Sequence, residues 1–194
     1  MNEQQQSIIL LDLDNTLVHT TNDVSHPEFE TIPHSSLHIH VRPFVREFLC
    51  HLMKNKHVFE FGFWTCGTPD YAQHVVMGLM SMVDASEWDV RILLTRDDAT
   101  IINGSYVKDL NLVRTRYNAS DVILLDDNAI HYSIPENVSH VCLVPPFYVT
   151  DPDAPRDRFL FNLTLLPMVR PPSPTVIHRP RPVRASSMIV PMPW

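Results

Sequence analysis

Ile8-Ile9-Leu10-Leu11-Asp12-Leu13-Asp14-Asn15-Thr16-Leu17-Val18-His19 is the stretch around which the chain is organised. Four consecutive apolar residues, two of them β-branched, predict a strand buried on both faces, as in a parallel sheet. The run stops at two aspartates spaced i and i+2, which puts both carboxylates on one side of an extended chain. At the C-terminal end of a parallel strand such groups face the crevice where open α/β sheets bind ligands. Adjacent carboxylates repel and are costly to desolvate, so the pair needs a cation or a shared proton. A polar turn after a strand is the competing reading, and the rest of the chain has to decide between them.

Strands and helices alternate from there on. Arg42-Pro43 predicts a helix start, with proline at the first helical position and Phe44, Val45, Phe48, Leu49, Leu52 and Met53 as the apolar stripe. Val58, Phe59, Phe61 and Phe63 predict a second apolar strand, running into Trp64-Thr65-Cys66-Gly67. Thr68-Pro69 then caps and opens a helix with Tyr71, Val75, Val76, Leu79 and Met80 facing inward. Residues 90–94 predict a further strand, and Asn103-Gly104 a tight turn ahead of Ser105-Tyr106-Val107-Lys108-Asp109-Leu110. Val122-Ile123-Leu124-Leu125 is another short apolar strand ending in carboxylates, Asp126-Asp127-Asn128; residues 138–144 predict the last strand and 155–166 a closing helix. The pattern predicts an α/β fold: one Rossmann-like domain with a mostly parallel sheet covered on both faces.

Residues 20–36 are polar, and the alternating run at 37–41 predicts a short strand with one apolar and one polar face. Together they predict a flap over the end of the first strand. His34, His38 and His40 are expected on its solvated face rather than as metal ligands, since no cysteine or acidic cluster joins them.

Residues 1–166 carry 22 acidic against 11 basic side chains, whereas the four arginines of 167–194 meet no acidic residue. An acidic body argues against a broad nucleic-acid face. Cys50, Cys66 and Cys142 are scattered and suggest neither zinc nor a disulfide framework. The polar start runs straight into the first strand without a signal peptide, and no apolar run approaches the ~20 residues that span a bilayer. A reducing interior, nucleus or cytoplasm, is the expected compartment. Eight prolines in 167–194 predict an extended or disordered basic tail following a domain of residues 1–166. Pro171-Pro172-Ser173-Pro174 suggests a docking partner for that tail.

Asp12-Leu13-Asp14-Asn15-Thr16-Leu17-Val18-His19 resembles the signature of haloacid-dehalogenase-type (HAD) phosphotransferases. In particular it resembles the branch of small RNA polymerase II C-terminal-domain phosphatases, also called NLI-interacting-factor-like phosphatases. The resemblance extends over residues 7–166 and implies a role for each matching position. Asp12 falls at the nucleophile, which would form an aspartyl-phosphate, and Asp14 at the general acid and base. Thr65 matches the hydroxyl donor to the phosphoryl oxygens, and Lys108 the cation that steadies phosphoryl group and aspartates. Asp126-Asp127 matches the metal station, so that Asp12, the carbonyl of Asp14, Asp126 and Asp127 would hold Mg2+. Asp127 departs from the small phosphatases, which usually carry asparagine there. The resemblance further implies a phosphoprotein substrate with Ser-Pro sites, such as the RNA polymerase II tail. The flap is shorter and more polar than the family's, which bears on any proline pocket. Cys66 is not a nucleophile of the cysteine-phosphatase kind, because the arginine of a Cys-x5-Arg loop is here Ala72. Two other readings remain open on sequence: a phosphatase of a small metabolite or polynucleotide end, and a binding module that keeps the fold without turnover.

Overall fold

The computed structural model describes residues 6–22, 26–85 and 90–166. The proline-rich stretch 167–194, with Ser173-Pro174, lies outside the described residues.

The first strand, β1 (Ser7–Leu11), is the middle of a five-stranded sheet. It is flanked by β5 (Phe59–Trp64) and β9 (Asp121–Asp126), with β6 (Leu93–Leu94) and β10 (Val141–Leu143) at the edges, and every pairing is parallel. Burial on both faces explains the uninterrupted apolar run. Leu11 packs with Phe59, Phe61 and Phe63 under α1 (Val45–Lys54), α2 (Pro69–Ser81) and α4 (Phe159–Thr164). Ile8 and Leu10 point the other way, to Val122, Leu124 and the buried Leu110 and Val113 of α3 (Leu110–Tyr117). Gly62 is required on this second side: a Cβ there would sit 2.4 Å from that of Ile92.

The flap is a three-stranded antiparallel sheet, β2 (Val18–Thr21), β4 (His38–Val41) and β3 (Thr31–Ile32), inserted directly after the aspartates. Val18, Ile32, Ile39 and Val41 join the main core, and Ile32 lies so close to α2 that only glycine fits at Gly78. A two-stranded hairpin, β7 (Thr100–Ile102) and β8 (Ser105–Val107), turns at Asn103-Gly104 with both residues at positive φ, as the dipeptide predicts.

Several expectations need correction. His40 is 2% exposed rather than solvated, because Phe29, Phe147 and Val149 cover what would have been the polar face of the flap. Pro43 is not the first helical residue: Phe44 takes the cap position at φ 65°, and α1 starts at Val45. The edge strands are shorter than 90–94 and 138–144, and the closing helix is α4 alone, preceded by a separate 3-10 turn at Ala154–Arg156. Helix α3 went unpredicted, because only Leu110 and Val113 are buried and the apolar period is too sparse to read. It is capped by Asp109, whose carboxylate accepts the Asn111 N–H, and it ends at Asn118 in the left-handed conformation.

Candidate active site

Parallel pairing assembles the site. Leu11 is in register with Phe63 on one side and Leu125 on the other, so the next residue on each strand comes to the same sheet edge. Asp12 thereby lies beside Asp126, its N–H bonded to the Leu125 carbonyl at 2.9 Å, and Thr65 follows one residue beyond the end of β5. After Asp12 the chain folds back tightly, with the N–H groups of Leu17 and Val18 both donating to the Leu13 carbonyl. Asn15 sits there at φ 59°, a left-handed position that asparagine tolerates. Arg42, almost fully buried, clamps this turn: it donates to the Thr16 carbonyl at 3.0 Å and ion-pairs with Asp157 at 2.6 Å, tying the turn to the segment before α4.

Lys108 is 1% exposed and reaches between two strand ends. Its ammonium lies 2.5 Å from Asp12 Oδ1 and 2.6 Å from Asp126 Oδ2. A buried ammonium is tolerated only when so paired, and the two carboxylates hold it protonated, well above its ordinary value, against the burial that favours the neutral amine. Burial pushes the Asp12 carboxyl up to about 7; Lys108 works against that shift and Asp126 adds to it. Asp126 moves the opposite way, its burial outweighed by Lys108 and by a hydrogen bond from His131. Asp127 is raised, by burial and then by Asp126.

Asp12, Asp126 and Asp127 each offer an oxygen within 4.8 Å of the others'. With Lys108 as the ammonium among them, three carboxylates leave two negative charges uncompensated. An all-oxygen donor set with that charge fits a hard divalent cation such as Mg2+. The Asp14 carboxylate does not join these three, although the i and i+2 spacing predicts it on the same side as that of Asp12. The Asp14 side chain is turned elsewhere: it accepts from Thr65 Oγ1 at 3.0 Å and from the Tyr71 hydroxyl at 2.5 Å. Thr65, fully buried, also accepts the Gly67 N–H at 2.9 Å, so it stabilises a turn while facing the site.

Three site residues were not legible as such. Tyr71 read as an inward apolar residue of α2; its ring does pack on the core, but its hydroxyl touches Asp14 and the Thr20 hydroxyl of the flap at 2.8 Å. Its position in the first turn of α2, just after Thr65, was the available signal. His131 and Asn137 come from two short 3-10 turns, Ala129–Ser133 and Pro135–Asn137, and are both buried. Asn137 donates to the carbonyls of Lys108 and His131 at 2.7 and 3.1 Å and accepts from the Leu110 N–H, bracing the lysine segment. Removing the Tyr71 hydroxyl frees one side of the Asp14 carboxylate. Tyr71→Phe is expected to lower kcat about 10- to 100-fold, the worth of a hydrogen bond to a charged group, with the melting temperature within ~2 °C of wild type. Steady-state kinetics on an aryl phosphate check this; an unchanged kcat would show that Asp14 needs no such support.

The profile of NLI interacting factor-like phosphatases matches residues 7–170. A CTD phosphatase-like protein of invertebrate iridescent virus 3 is 29% identical over 184 residues, covering 84% of this chain and 96% of the viral protein. CTD small phosphatase-like protein 2 of Dictyostelium discoideum is 28% identical over 126 residues, 62% of this chain but only 20% of that protein. Among solved structures, Fcp1, an essential RNA polymerase II CTD phosphatase, superposes with a TM-score of 0.50 at 20% identity. That match covers 74% of this chain and 42% of the Fcp1 chain, and establishes the likeness of fold. With the strand-end aspartates, the buried lysine and the parallel sheet in place, the family match covers nearly the whole described chain: it belongs to the NLI interacting factor-like phosphatases, and so to the phosphatases.

Proposed function

We propose that the protein is a Mg2+-dependent phosphatase of phosphoserine and phosphothreonine in proteins, acting through an aspartyl-phosphate. The observation that carries this is the state of Asp12. It ends the central strand, with Lys108 on Oδ1 at 2.5 Å and Asp14 two residues on. Lys108 orients the carboxylate, leaving its second oxygen to attack phosphorus. The bond from that oxygen to phosphorus forms as the bond from phosphorus to the substrate's hydroxyl oxygen breaks, and Asp14 gives the leaving oxygen its proton. In the second step Asp14 takes a proton from water. The water oxygen bonds to phosphorus, the Asp12–phosphorus bond breaks, and inorganic phosphate leaves. Lys108 and the Thr65 hydroxyl stand at the same sheet edge to balance charge on the phosphoryl oxygens. Asp12, Asp126, Asp127 and the Asp14 carbonyl would hold a divalent cation, which would supply the remaining neutralisation.

The names carried by the relatives support a C-terminal-domain-type substrate, and the sequence resemblance adds phosphoserine followed by proline, as in the RNA polymerase II tail. The acidic body weighs against a polynucleotide end. Against an inert binding module stands the Lys108 arrangement, since a scaffold gains more from well-packed apolar side chains than from a buried ion pair. No helix among the described residues is long and apolar enough to cross a membrane.

The test is hydrolysis of an aryl phosphate and of a phosphoserine-proline peptide, with Mg2+, in excess chelator, and after Mg2+ is restored. Activity is expected to vanish in chelator and return with the cation. In parallel, Mg2+ at a hundredfold excess over Kd should stabilise the fold by about 2.7 kcal/mol, or roughly 5–10 °C in melting temperature. Full activity in excess chelator would overturn the metal assignment. Turnover of the aryl phosphate but not of the peptide would overturn the substrate class.

A further inference from the structure

His131 is 2% exposed, belongs to no strand or long helix, and is used by none of the chemical steps above. Its two ring nitrogens are nevertheless both committed. Nδ1 faces the backbone N–H of Lys108 at 3.2 Å. A backbone N–H only donates, so Nδ1 is an acceptor and carries no proton. The ring proton is therefore on Nε2, which lies 3.0 Å from Asp126 Oδ2 and donates to it.

The consequence lies on Asp126. A carboxylate offers about four acceptor positions, two on each oxygen. Oδ2 takes the Lys108 ammonium at 2.6 Å and His131 Nε2 at 3.0 Å, which fills it. Oδ1 takes the Asn128 N–H at 2.8 Å. One position remains, on Oδ1, so Asp126 can give a cation a single bond. Mg2+ is small and takes one oxygen from each carboxylate, whereas Ca2+ readily accepts both oxygens of one group.

We propose that His131, as its Nε2–H tautomer, is a positioning residue that restricts Asp126 to one-oxygen ligation and thereby sets the preference of the site for Mg2+ over Ca2+. The proposal rests on the reading of Asp126 as a metal ligand. The residue acts as a second-layer partner of a ligating carboxylate, and loss of such partners typically weakens metal affinity about 10- to 100-fold.

Two substitutions separate the two ring contacts. His131→Asn keeps an acceptor near the Nδ1 position for the buried Lys108 N–H and removes the donor to Asp126. His131→Gln keeps a donor near the Nε2 position. Calorimetric titration of the metal-stripped full chain with Mg2+ and with Ca2+ is the readout, with circular dichroism to confirm folding. His131→Asn is expected to lose about 10- to 100-fold in Mg2+ affinity and about tenfold in the Mg2+/Ca2+ ratio, and His131→Gln to stay within about threefold of wild type in both. An unchanged ratio in His131→Asn, or equal losses in both variants, would overturn the proposal and leave the ring as a space-filler. Wild-type protein that binds no Mg2+ would instead overturn the metal reading itself, and this inference with it. The tautomer needs no variant: nitrogen-15 NMR of histidine-labelled wild type should show Nδ1 unprotonated and Nε2 protonated, and the reverse assignment rejects the role.

Discussion

Asp12→Asn is expected to lower kcat by about 10^4-fold or more while leaving the fold intact, as loss of a nucleophile acting in a concerted unit does. The amide is isosteric with the carboxylate and its oxygen still accepts from the Lys108 ammonium, so the contact that organises the strand ends survives. What disappears is the attacking group and one of the three negative charges crowded at the sheet edge. The variant should accordingly melt no lower than wild type when stripped of metal, and should gain less from added Mg2+. Two measurements check this: single-turnover kinetics on an aryl phosphate, and paired melting curves with and without Mg2+. Turnover comparable to wild type would eliminate the aspartyl-phosphate.

Lys108→Met is expected to have the largest effect on stability. Methionine fills much of the space but leaves Asp12 and Asp126 facing each other, buried, without the ammonium between them. Breaking a buried pair in this way costs about 3–5 kcal/mol, or ~6–20 °C in a domain of this size. Mg2+ should recover part of the loss, since it neutralises the same oxygens. The double variant Lys108→Met with Asp12→Asn should be more stable than Lys108→Met alone, because the second change removes one of the stranded charges. Thermal melts of the four proteins close the cycle. Simple additivity of the two changes would mean that the Lys108–Asp12 contact carries no coupling. Arginine is not a substitute here: its planar fork is larger than the ammonium it would replace between two oxygens 2.5 and 2.6 Å away.

The sheet was legible because its physics is local in sequence. Ile8–Leu11, Phe59–Phe63 and Val122–Leu125 are each long enough and apolar enough to require burial on both faces, and strands of that kind separated by helices pair in parallel. Once they do, their carboxyl ends coincide. Asp12, Thr65 and Asp126, which the sequence links only through the family resemblance, therefore meet at one sheet edge. The helix at Pro69 was equally plain, its cap, proline and apolar period all agreeing.

Where the reading failed, the deciding contact came from a distant segment. His40 alternates with apolar neighbours as a solvated residue should, and nothing near it reveals that Phe29 and Phe147 close over it. Pro43 had the right residue type for a helix start, but the buried Arg42 must reach Thr16 and Asp157, and the helix begins two residues after Pro43. The i and i+2 spacing places the Asp14 carboxylate with that of Asp12; the hydroxyls of Tyr71 and Thr65 hold it instead. His131 and Asn137 carry no periodicity, cap or motif to mark them, since what brings them to the site is contact with the Lys108 backbone, 23 and 29 residues away. Strand identity and the residues at the strand ends follow from short-range burial patterns in the chain, whereas strand order is set by the folded sheet. The direction each carboxylate faces depends on donors brought in from 18 to 96 residues away, with Asn128 and His131 filling further positions on Asp126 from close by, and only the folded packing establishes which oxygen stays open.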